Sequence, residues 1–560
     1  TPPTNAVGTV EYCCIARVAY AELPARPSSI PENCWAKITV KPHGWTAESG
    51  ITGRGTEDDP YILRCAESFA ALRDEVNAGI SYAGSFFKLA EDITLPADWT
   101  PIGCLKDESV TPGALDYADK GRNMNPFSGT LDGDGHTLTM AKGSRPLLMF
   151  AREATVRNLN IQGERIVGNG LLERYVIDYG TDGYYNNSVP NTITIENCHI
   201  VGDTNITGSG FLSGYASGLN IVMIVNCSVG ENVVIGCDKD QSEVGSLAGH
   251  FNGSVMNCTS AATVYGKSRV GGLVGYKGQS MGPCSISSSS FTGKVIATGD
   301  YAGGILGSGY NQGSAPNSPW ATIKGCFVTG SIQGRDGVGG ITGGEPGVVQ
   351  CWDNGIGGIT DNVFYGEIHA TGTSVGAIVG TICSLNKNTL VDNNYYLAGC
   401  GTSKGIGSIT TVDTKYKPST LPKDTEYICT SDGYTNIFFK DGDYSREDDP
   451  VGKDADKLSK AVTNTALKDG TVVQWLNTSE SSYHNWMQGT VGPILSNKAI
   501  AYDLEITGEI NQHYVGDALN LSGLTLTAKW SDGTTTNVPL NDPDLKITGY
   551  DSSKHGQKTG

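Results

Sequence analysis

Five versions of one phrase decide how this chain folds: Val244–Phe251 (VGSLAGHF), Val270–Lys277 (VGGLVGYK), Ala302–Gly309 (AGGILGSG), Val338–Glu345 (VGGITGGE) and Val375–Ile382 (VGAIVGTI). Their starts lie 26, 32, 36 and 37 residues apart, so one structural unit recurs and tolerates loops of different length within it. A second phrase recurs out of phase with the first. It reads Asn197-Cys198-His199-Ile200, Asn226-Cys227-Ser228-Val229, Asn257-Cys258-Thr259, Ser289-Ser290-Phe291, Gly325-Cys326-Phe327-Val328, Asn362-Val363-Phe364-Tyr365 and Asn394-Tyr395-Tyr396. Between residues 190 and 410 each unit holds two or three runs of β-prone residues, broken by Gly, Asn, Ser or Asp, and no amphipathic stretch long enough for a helical repeat. One unit of roughly 30 residues therefore reads as one coil of a parallel β-helix, whose coils cover one another's strand edges.

The residue types at the repeated positions fit that geometry. Gly-Gly marks a bend where a neighbouring backbone comes close or where φ is positive. The alternation in Gly272-Leu273-Val274-Gly275 and Gly304-Ile305-Leu306-Gly307 leaves apolar side chains for a narrow interior. The recurring Asn predicts a hydrogen-bonded ladder at a turn. Cys198, Cys227, Cys258 and Cys326 are expected to stack inward as small hydrophobes, because one cysteine per coil does not make the clustered pairs a metal site needs.

These phrases also carry a resemblance. V-G-G-L-V-G and A-G-G-I-L-G resemble the GLUG motif of repeat regions in bacterial surface proteins, some immunoglobulin A proteases among them. The likeness runs from about Thr130 to Gly380 and speaks to architecture more than to activity. Upstream, Gly55-Thr56-Glu57-Asp58-Asp59-Pro60-Tyr61-Ile62-Leu63 leads to a helix over Glu67–Asn77, with Phe69, Leu72 and Val76 on one face and Gly79 as its stop. A strand at Phe86-Phe87-Lys88-Leu89 and Pro101-Ile102-Gly103 follow, in an order that resembles the lead-in capping such solenoids. Phe127-Ser128-Gly129-Thr130-Leu131-Asp132-Gly133-Asp134-Gly135-His136-Thr137-Leu138 resembles their first coil. Asp132, Asp134 and His136 invite a catalytic reading, but D-G-D-G is foremost turn chemistry.

Ahead of the cap, residues 8–20 alternate like a strand, and Trp35–Val40 reads as a second that could pair with it. Past residue 410 the repeats stop. Ala455–Leu467 reads as a helix, and Leu476-Asn477, Trp486 and Pro493-Ile494-Leu495 resemble the closing segment of the same family. From residue 501 short strands recur at sandwich spacing, and Tyr514–Ala528 with Trp530-Ser531-Asp532-Gly533-Thr534 resembles the bacterial immunoglobulin-like domains of the Big group. That pattern stops before its final strands, so a longer natural chain, with an anchor or catalytic domain beyond residue 560, is the expectation. The expected organisation is an all-β chain. It comprises a β segment (1–50), a cap with one helix (51–126), a right-handed parallel β-helix (127–410), a closing cap (411–500) and an immunoglobulin-like β-sandwich (501–560).

Composition excludes several functions. The net charge of -18 and pI near 4.9 argue against nucleic-acid or anionic-membrane partners. No run of 18 apolar residues is present to span a membrane as a helix. No signal peptide is visible, and Thr1-Pro2-Pro3-Thr4 reads as a processed terminus. Fifteen cysteines leave at least one thiol unpaired in a monomer, and Cys13, Cys14, Cys34, Cys65 and Cys104 are the better candidates for bridges.

Chemistry is harder to find. H-E-x-x-H is missing, no G-x-S-x-G, phosphate-loop or dinucleotide fingerprint survives inspection because the Gly-rich runs recur with the repeat, and no catalytic residue is assigned. Asp238, Asp240, Glu243, Asp336, Asp353 and Asp361, with Arg269 and Arg335, are the candidates for a lyase or glycoside hydrolase acting on the β-helix face, should any two acids converge. Binding candidates lie in long insertions between strands: Tyr175, Tyr179, Tyr184, Tyr185, Tyr310, Trp320 and Trp352. Solenoid insertions gather on one side, and Tyr and Trp supply contact area to sugar or protein at little entropic cost. Lys440–Asp449 concentrates carboxylates, so Asp441, Asp443, Glu447 and Asp448 are the candidate ligands for Ca²⁺, the one cofactor suggested. The expectation is an extracellular, cell-surface or wall-attached, adhesin-like binding protein, monomeric within this segment. Its partner would be a host or matrix glycan or glycoprotein, with no membrane insertion of its own.

Overall fold

The computed structural model describes residues 8–13, 35–40, 49–106, 124–175, 192–213, 221–277, 284–309, 321–344, 357–383, 389–410, 459–478, 486–496, 501–508, 521–530 and 535–540. One full coil runs through five strands: Gly253–Met256, Thr259–Ser260, Thr263–Gly266, Val270–Gly271 and Val274–Lys277. The next coil opens at Cys284–Ser287, and each strand pairs in parallel with its counterpart one coil on: Gly253 with Cys284, Thr259 with Ser290, Thr263 with Lys294, Val270 with Ala302 and Val274 with Leu306. The chain is a parallel β-helix with five faces, where periodicity had suggested two or three strands per unit. Two of the five strands are only two residues long, too short to leave a period.

The first and second faces hold eleven strands each, the third six, the fourth five and the fifth six. The first two begin inside the cap. Tyr61–Leu63 and Phe86–Leu89 are the opening rungs of the first face, and Ile93–Leu95 of the second. The helix Ala66–Asn77 plugs this end, burying Phe69, Leu72 and Val76. Its first turn is held by Ser68, whose Oγ accepts the Cys65 N–H at 3.1 Å and donates to the Cys65 carbonyl at 2.6 Å. Gly79, at φ 106°, ends it in a conformation that favours glycine.

At the other end the expected helix over Ala455–Leu467 gives way to a strand, Ser459–Val462, paired in parallel on Asn394–Leu397. The free edge of the second face outweighs the local propensity of a short, Ala- and Lys-rich run. Helices Asn464–Lys468 and Thr471–Thr478 follow, with Leu467, Val472 and Leu476 buried. Asn477 then clasps the hairpin Trp486–Gln488 and Pro493–Leu495, its Oδ1 accepting the Trp486 N–H at 3.1 Å and its Nδ2 donating to the Trp486 carbonyl at 3.0 Å. Separately, Gly8–Cys13 pairs antiparallel with Trp35–Val40. Near the C-terminus Leu524–Trp530 pairs antiparallel with both Ala501–Gly508 and Thr535–Val538.

The glycines that open each phrase act through space, not through φ. A Cβ on Gly272 would lie 2.0 Å from the Gly304 carbonyl oxygen and 2.5 Å from the Phe291 ring, and one on Gly271 would lie 1.8 Å from the Val274 oxygen. Positive φ recurs at the second phrase. Asn158, Asn197, Asn226, Asn257, Ser288, Gly325, Asp361 and Asn393 stack in a left-handed column with φ from 48° to 62°. Asn and Gly tolerate that region best. Side-chain amides link it coil to coil, from Asn197 Nδ2 to Asn158 Oδ1 at 2.9 Å and from Asn257 Nδ2 to Asn226 Oδ1 at 2.7 Å.

The next residue of each coil points inward, and here the repeat aligns one position away from its reading in sequence. Cys198, Cys227, Cys258, Ser289, Cys326, Asn362 and Asn394 form one buried column. Ser289, Asn362 and Asn394 therefore match the cysteines, not the turn asparagines. Side chains of this column accept a backbone N–H from the coil before: Cys198 N to Cys227 Sγ and Cys227 N to Cys258 Sγ at 3.4 Å, Cys258 N to Ser289 Oγ at 3.0 Å, and Cys326 N to Asn362 Oδ1 at 2.9 Å. The column satisfies amides that the strands leave unpaired at the bend. These cysteines are thiols, and burial pushes Cys227 well up and Cys326 up to about 12. Of the proposed bridge cysteines, Cys65 is a free thiol and Cys104 directs its Sγ to the Asn77 carbonyl at 3.4 Å. Cys13 lies in strand Gly8–Cys13, while Cys14 and Cys34 lie outside the described residues.

Candidate functional site

Each coil ends on the fifth face, and the chain turns one corner to reach the first face of the next. The insertions are rooted at this corner. Their described ends are Tyr175 and Thr192, Ser213 and Ile221, Lys277 and Cys284, Gly309 and Ala321, Gly344 and Gly357, and Cys383 and Thr389. Between Phe251 and Gly253 the turn is made by Asn252 alone. Parallel register stacks the roots: His250 beside Tyr276 and Tyr276 beside Ser308 on one side, Gly253 beside Cys284 and Cys284 beside Ala321 on the other. Of the proposed binding residues, Tyr175 closes the strand Leu172–Tyr175. Tyr179, Tyr184, Tyr185, Tyr310, Trp320 and Trp352 lie outside the described residues, as do the candidate calcium ligands Asp441, Asp443, Glu447 and Asp448.

Beside these roots sits a compact set of titratable side chains. Glu243, Arg269 and Tyr301 each precede a glycine phrase and each adopts a left-handed φ, at 64°, 58° and 65°. That conformation turns their side chains out at one edge of the fourth face. The carboxylate of Glu243 receives Arg269 at 2.6 Å on Oε1 and meets His250 Nδ1 at 3.1 Å on Oε2. Arg269 lies 4.5 Å over the Tyr276 ring, which His250 meets edge-on at 5.1 Å. Burial works against the charge on Glu243, but hydrogen bonds and charge from His250 and Arg269 outweigh it and hold its carboxyl below the usual range. Glu243 and Arg269 stood among the sequence candidates; His250 and Tyr276 did not. They occupy the same place in successive glycine phrases, so aligning VGSLAGHF with VGGLVGYK would have found them. The set braces adjacent coils, with Glu243 engaging Arg269 and His250 through its two carboxylate oxygens.

Of the remaining acid candidates, Asp238, Asp336 and Asp361 are likewise engaged by the fold. Asp238 pairs with Arg165 at 2.7 Å, and Arg335 donates from Nε to Asp300 at 2.6 Å. Asp336 Oδ1 accepts the backbone N–H of Thr373 and of Ser374 at 3.0 and 2.7 Å. Asp361 is fully buried and receives Asn393 Nδ2 at 2.6 Å; Asp240 is exposed, and Asp353 lies outside the described residues. In the D-G-D-G turn, Asp132 accepts the Asp134 N–H at 2.9 Å and Arg157 Nε at 2.8 Å, while His136 faces Asp92 at 3.3 Å. Among the described residues no three His, Cys, Asp or Glu side chains gather as a metal site requires, and no helix is long and apolar enough to cross a membrane.

Comparison with known proteins adds one family match. Residues 511–559 match the bacterial Ig-like domain, group 3. A relative, halomucin of Haloquadratum walsbyi, is 26% identical over 249 residues, which is 43% of this chain but 2% of halomucin. The chain thus spans a small fraction of that relative. Two solved structures show a loose likeness. A Bacteroides ovatus protein proposed to be an immunoglobulin A1 protease has a TM-score of 0.30 and 15% identity, over 79% of this chain and 94% of that one. An IgA1 protease has a TM-score of 0.33 and 12% identity, over 90% of this chain and 34% of that one. At such scores neither likeness bears on the reading below.

Proposed function

We propose that this chain is an extracellular, adhesin-like binding protein that presents one corner of its β-helix to a host or matrix glycan or glycoprotein. The observation that carries this reading is the stacking of insertion roots at a single corner. The coils hold those roots in register, and in sequence Tyr179, Tyr184, Tyr185, Tyr310, Trp320 and Trp352 fall between them. The bacterial Ig-like match supports a surface location, where the glycine phrases would be GLUG-type repeats. Retention at the cell surface or wall belongs to the same reading.

The test is attachment. Replacing Tyr184, Tyr185 and Trp320 by Ala should reduce binding to an immobilised matrix glycoprotein at least tenfold and leave the melting temperature unchanged. Unchanged attachment in that variant would defeat the reading. At a net charge of -18, contact with sialylated or sulfated glycans needs Ca²⁺ as a bridge, for which Asp441, Asp443, Glu447 and Asp448 are the proposed ligands. EDTA should therefore abolish binding to those glycans while sparing neutral ones.

A further inference from the structure

A cleft of about 490 Å³ opens on the outer side of the first face, between the loop Gly53–Pro60 and the opening coils. Its floor is a row of outward side chains in parallel register, with Ile62 beside Lys88, Lys88 beside Asp132 and Asp132 beside Arg157. Phe86, half-buried, stands in the adjoining row. The wall is a stiff loop. Asp59 O accepts the N–H of Arg54 and of Gly55 at 3.0 and 2.9 Å, Arg54 Nε meets the Asp59 carboxylate at 2.7 Å, and Gly55 O receives the Phe86 N–H at 3.0 Å.

The charged groups of this cleft divide into two kinds. Lys88 with Asp134 (3.0 Å) and Arg157 with Asp132 (2.8 Å) form fixed neutral pairs that bind coil to coil. Burial disfavours the charge on Asp132, but bonds from Asn158, Asp134 N and Arg157 outweigh it and hold the carboxyl below its usual range. Glu57, Asp58 and Arg64 are different. They line the same opening, yet their side chains make no ion pair or hydrogen bond among the described residues. The coils have no use for them.

We propose that this cleft is a binding site for an uncharged oligosaccharide, whose rings lie on Phe86 and Ile62 and whose hydroxyls are taken by Glu57, Asp58 and Arg64. The volume falls within the roughly 300–1,000 Å³ of small-molecule sites. Sugar hydroxyls both donate and accept, so adjacent carboxylates and a guanidinium suit them, while the C–H faces of the rings pack on an aromatic face. Four carboxylates against three cations leave the lining without an excess of positive charge, so uronates and sulfated sugars are disfavoured. Parallel strands put successive polar rungs about 4.8 Å apart, comparable with one pyranose ring, so the chain of sugars runs along the solenoid axis. None of the lining residues belongs to an insertion, so the site stands apart from the loop corner.

The experiment uses the full chain on an array of neutral cello-, manno-, chito- and lacto-oligosaccharides beside uronate and sulfated ones, with Kd measured for the best ligand. Binding to a neutral chain is expected, weakened at least tenfold by Arg64→Ala and by the pair Glu57→Gln and Asp58→Asn, with no change in melting temperature. Replacing Tyr184, Tyr185 and Trp320 by Ala should leave this binding intact, which separates failure here from failure of the loop corner. The proposal is overturned if no neutral oligosaccharide binds, or if the cleft variants bind as the parent does. Loss of binding only in the loop variant, or preference for the anionic sugars, overturns it equally. So does recovery of shortened ligand by mass spectrometry, since the site would then be catalytic.

Discussion

The cap and the glycine coils of this solenoid fill their interiors by different means. In the cap and first coils large rings pack on one another, with Tyr61 against Phe87 at 5.2 Å, Phe87 against Phe127 at 5.9 Å and Phe69 edge-on to Trp99 at 6.4 Å. Between Val244 and Gly380 the phrase glycines bring backbone against backbone until glycine alone fits, and Val, Leu and Ile with Phe251, Phe291 and Phe364 occupy what is left. The cap tolerates change because side chains can repack. The glycine bends cannot yield, since their contacts are carbonyl oxygens fixed by the sheets on either side.

The sharpest way to break that comparison is to add one carbon at a glycine bend and remove many in the cap. Gly272→Ala sets a methyl 2.0 Å from a backbone oxygen. It should cost more than about 4–5 kcal/mol, the range of exceptional single substitutions. Phe69→Ala should cost about 3–5 kcal/mol, as core ring deletions do. Gly309, whose nearest neighbour to a new Cβ is 3.7 Å away, should accept Ala with little change. Urea melts that rank Phe69→Ala below Gly272→Ala in stability would reverse the account.

A second test concerns the inward column. Cys227 Sγ accepts the Cys198 N–H, so Cys227→Ala orphans a buried donor and should cost about 1–3 kcal/mol beyond its small cavity. Cys227→Ser keeps an acceptor there and should recover much of that loss. Equal melting midpoints for the two would show that the thiols only fill space.

The smallest effect is with pH. Glu243, Asp132 and Asp300 have carboxyls held below their usual range; burial opposes the shift for the first two, and their partners outweigh it, while Asp300 owes it first to the hydrogen bond from Arg335. A depressed pKa in the folded state gives stability that is present above the ordinary carboxylate range and is lost as pH falls through and below it. These three carboxylates should therefore lower the melting temperature only as pH falls below about 4. Arg269→Gln should reduce the part of that decline due to Glu243. A profile unchanged by Arg269→Gln would mean the triad is too exposed to matter.

The glycine phrases exposed the repeat, because a close backbone approach admits one residue type and leaves a mark in sequence. The alternating runs Phe86–Leu89 and Thr192–Glu196 marked strands for the same reason of period. The third face and the two-residue strands of the second and fourth were not legible, since neither length nor alternation distinguishes Thr259–Ser260 or Val270–Gly271 from a turn. Ser459–Val462 escaped because a free sheet edge 65 residues upstream (Asn394 beside Ser459), not local propensity, makes it a strand. Part of the candidate site was visible: Glu243 and Arg269 were named as charged residues on neighbouring coils. His250 and Tyr276 were not, since their meeting depends on register across the fifth face. The cleft was hidden for a like reason. Its floor joins Ile62, Lys88, Asp132 and Arg157 from four strands, and its wall comes from a motif that reads in sequence as turn chemistry alone.

The central claim, that one continuous parallel β-helix carries an inward column through its coils, is tested most directly by thiol labelling of the native protein. Iodoacetamide at pH 8, followed by peptide mass spectrometry, should modify Cys65 and Cys237, which are partly exposed. Cys198, Cys227, Cys258, Cys284 and Cys326 are buried, and burial pushes the thiols of Cys284 and Cys326 up to about 12, so all five should stay unmodified until the coils unfold and then react together. Rapid modification of the column cysteines in the folded protein, or their reaction one by one at different urea concentrations with no common unfolding step, would contradict it.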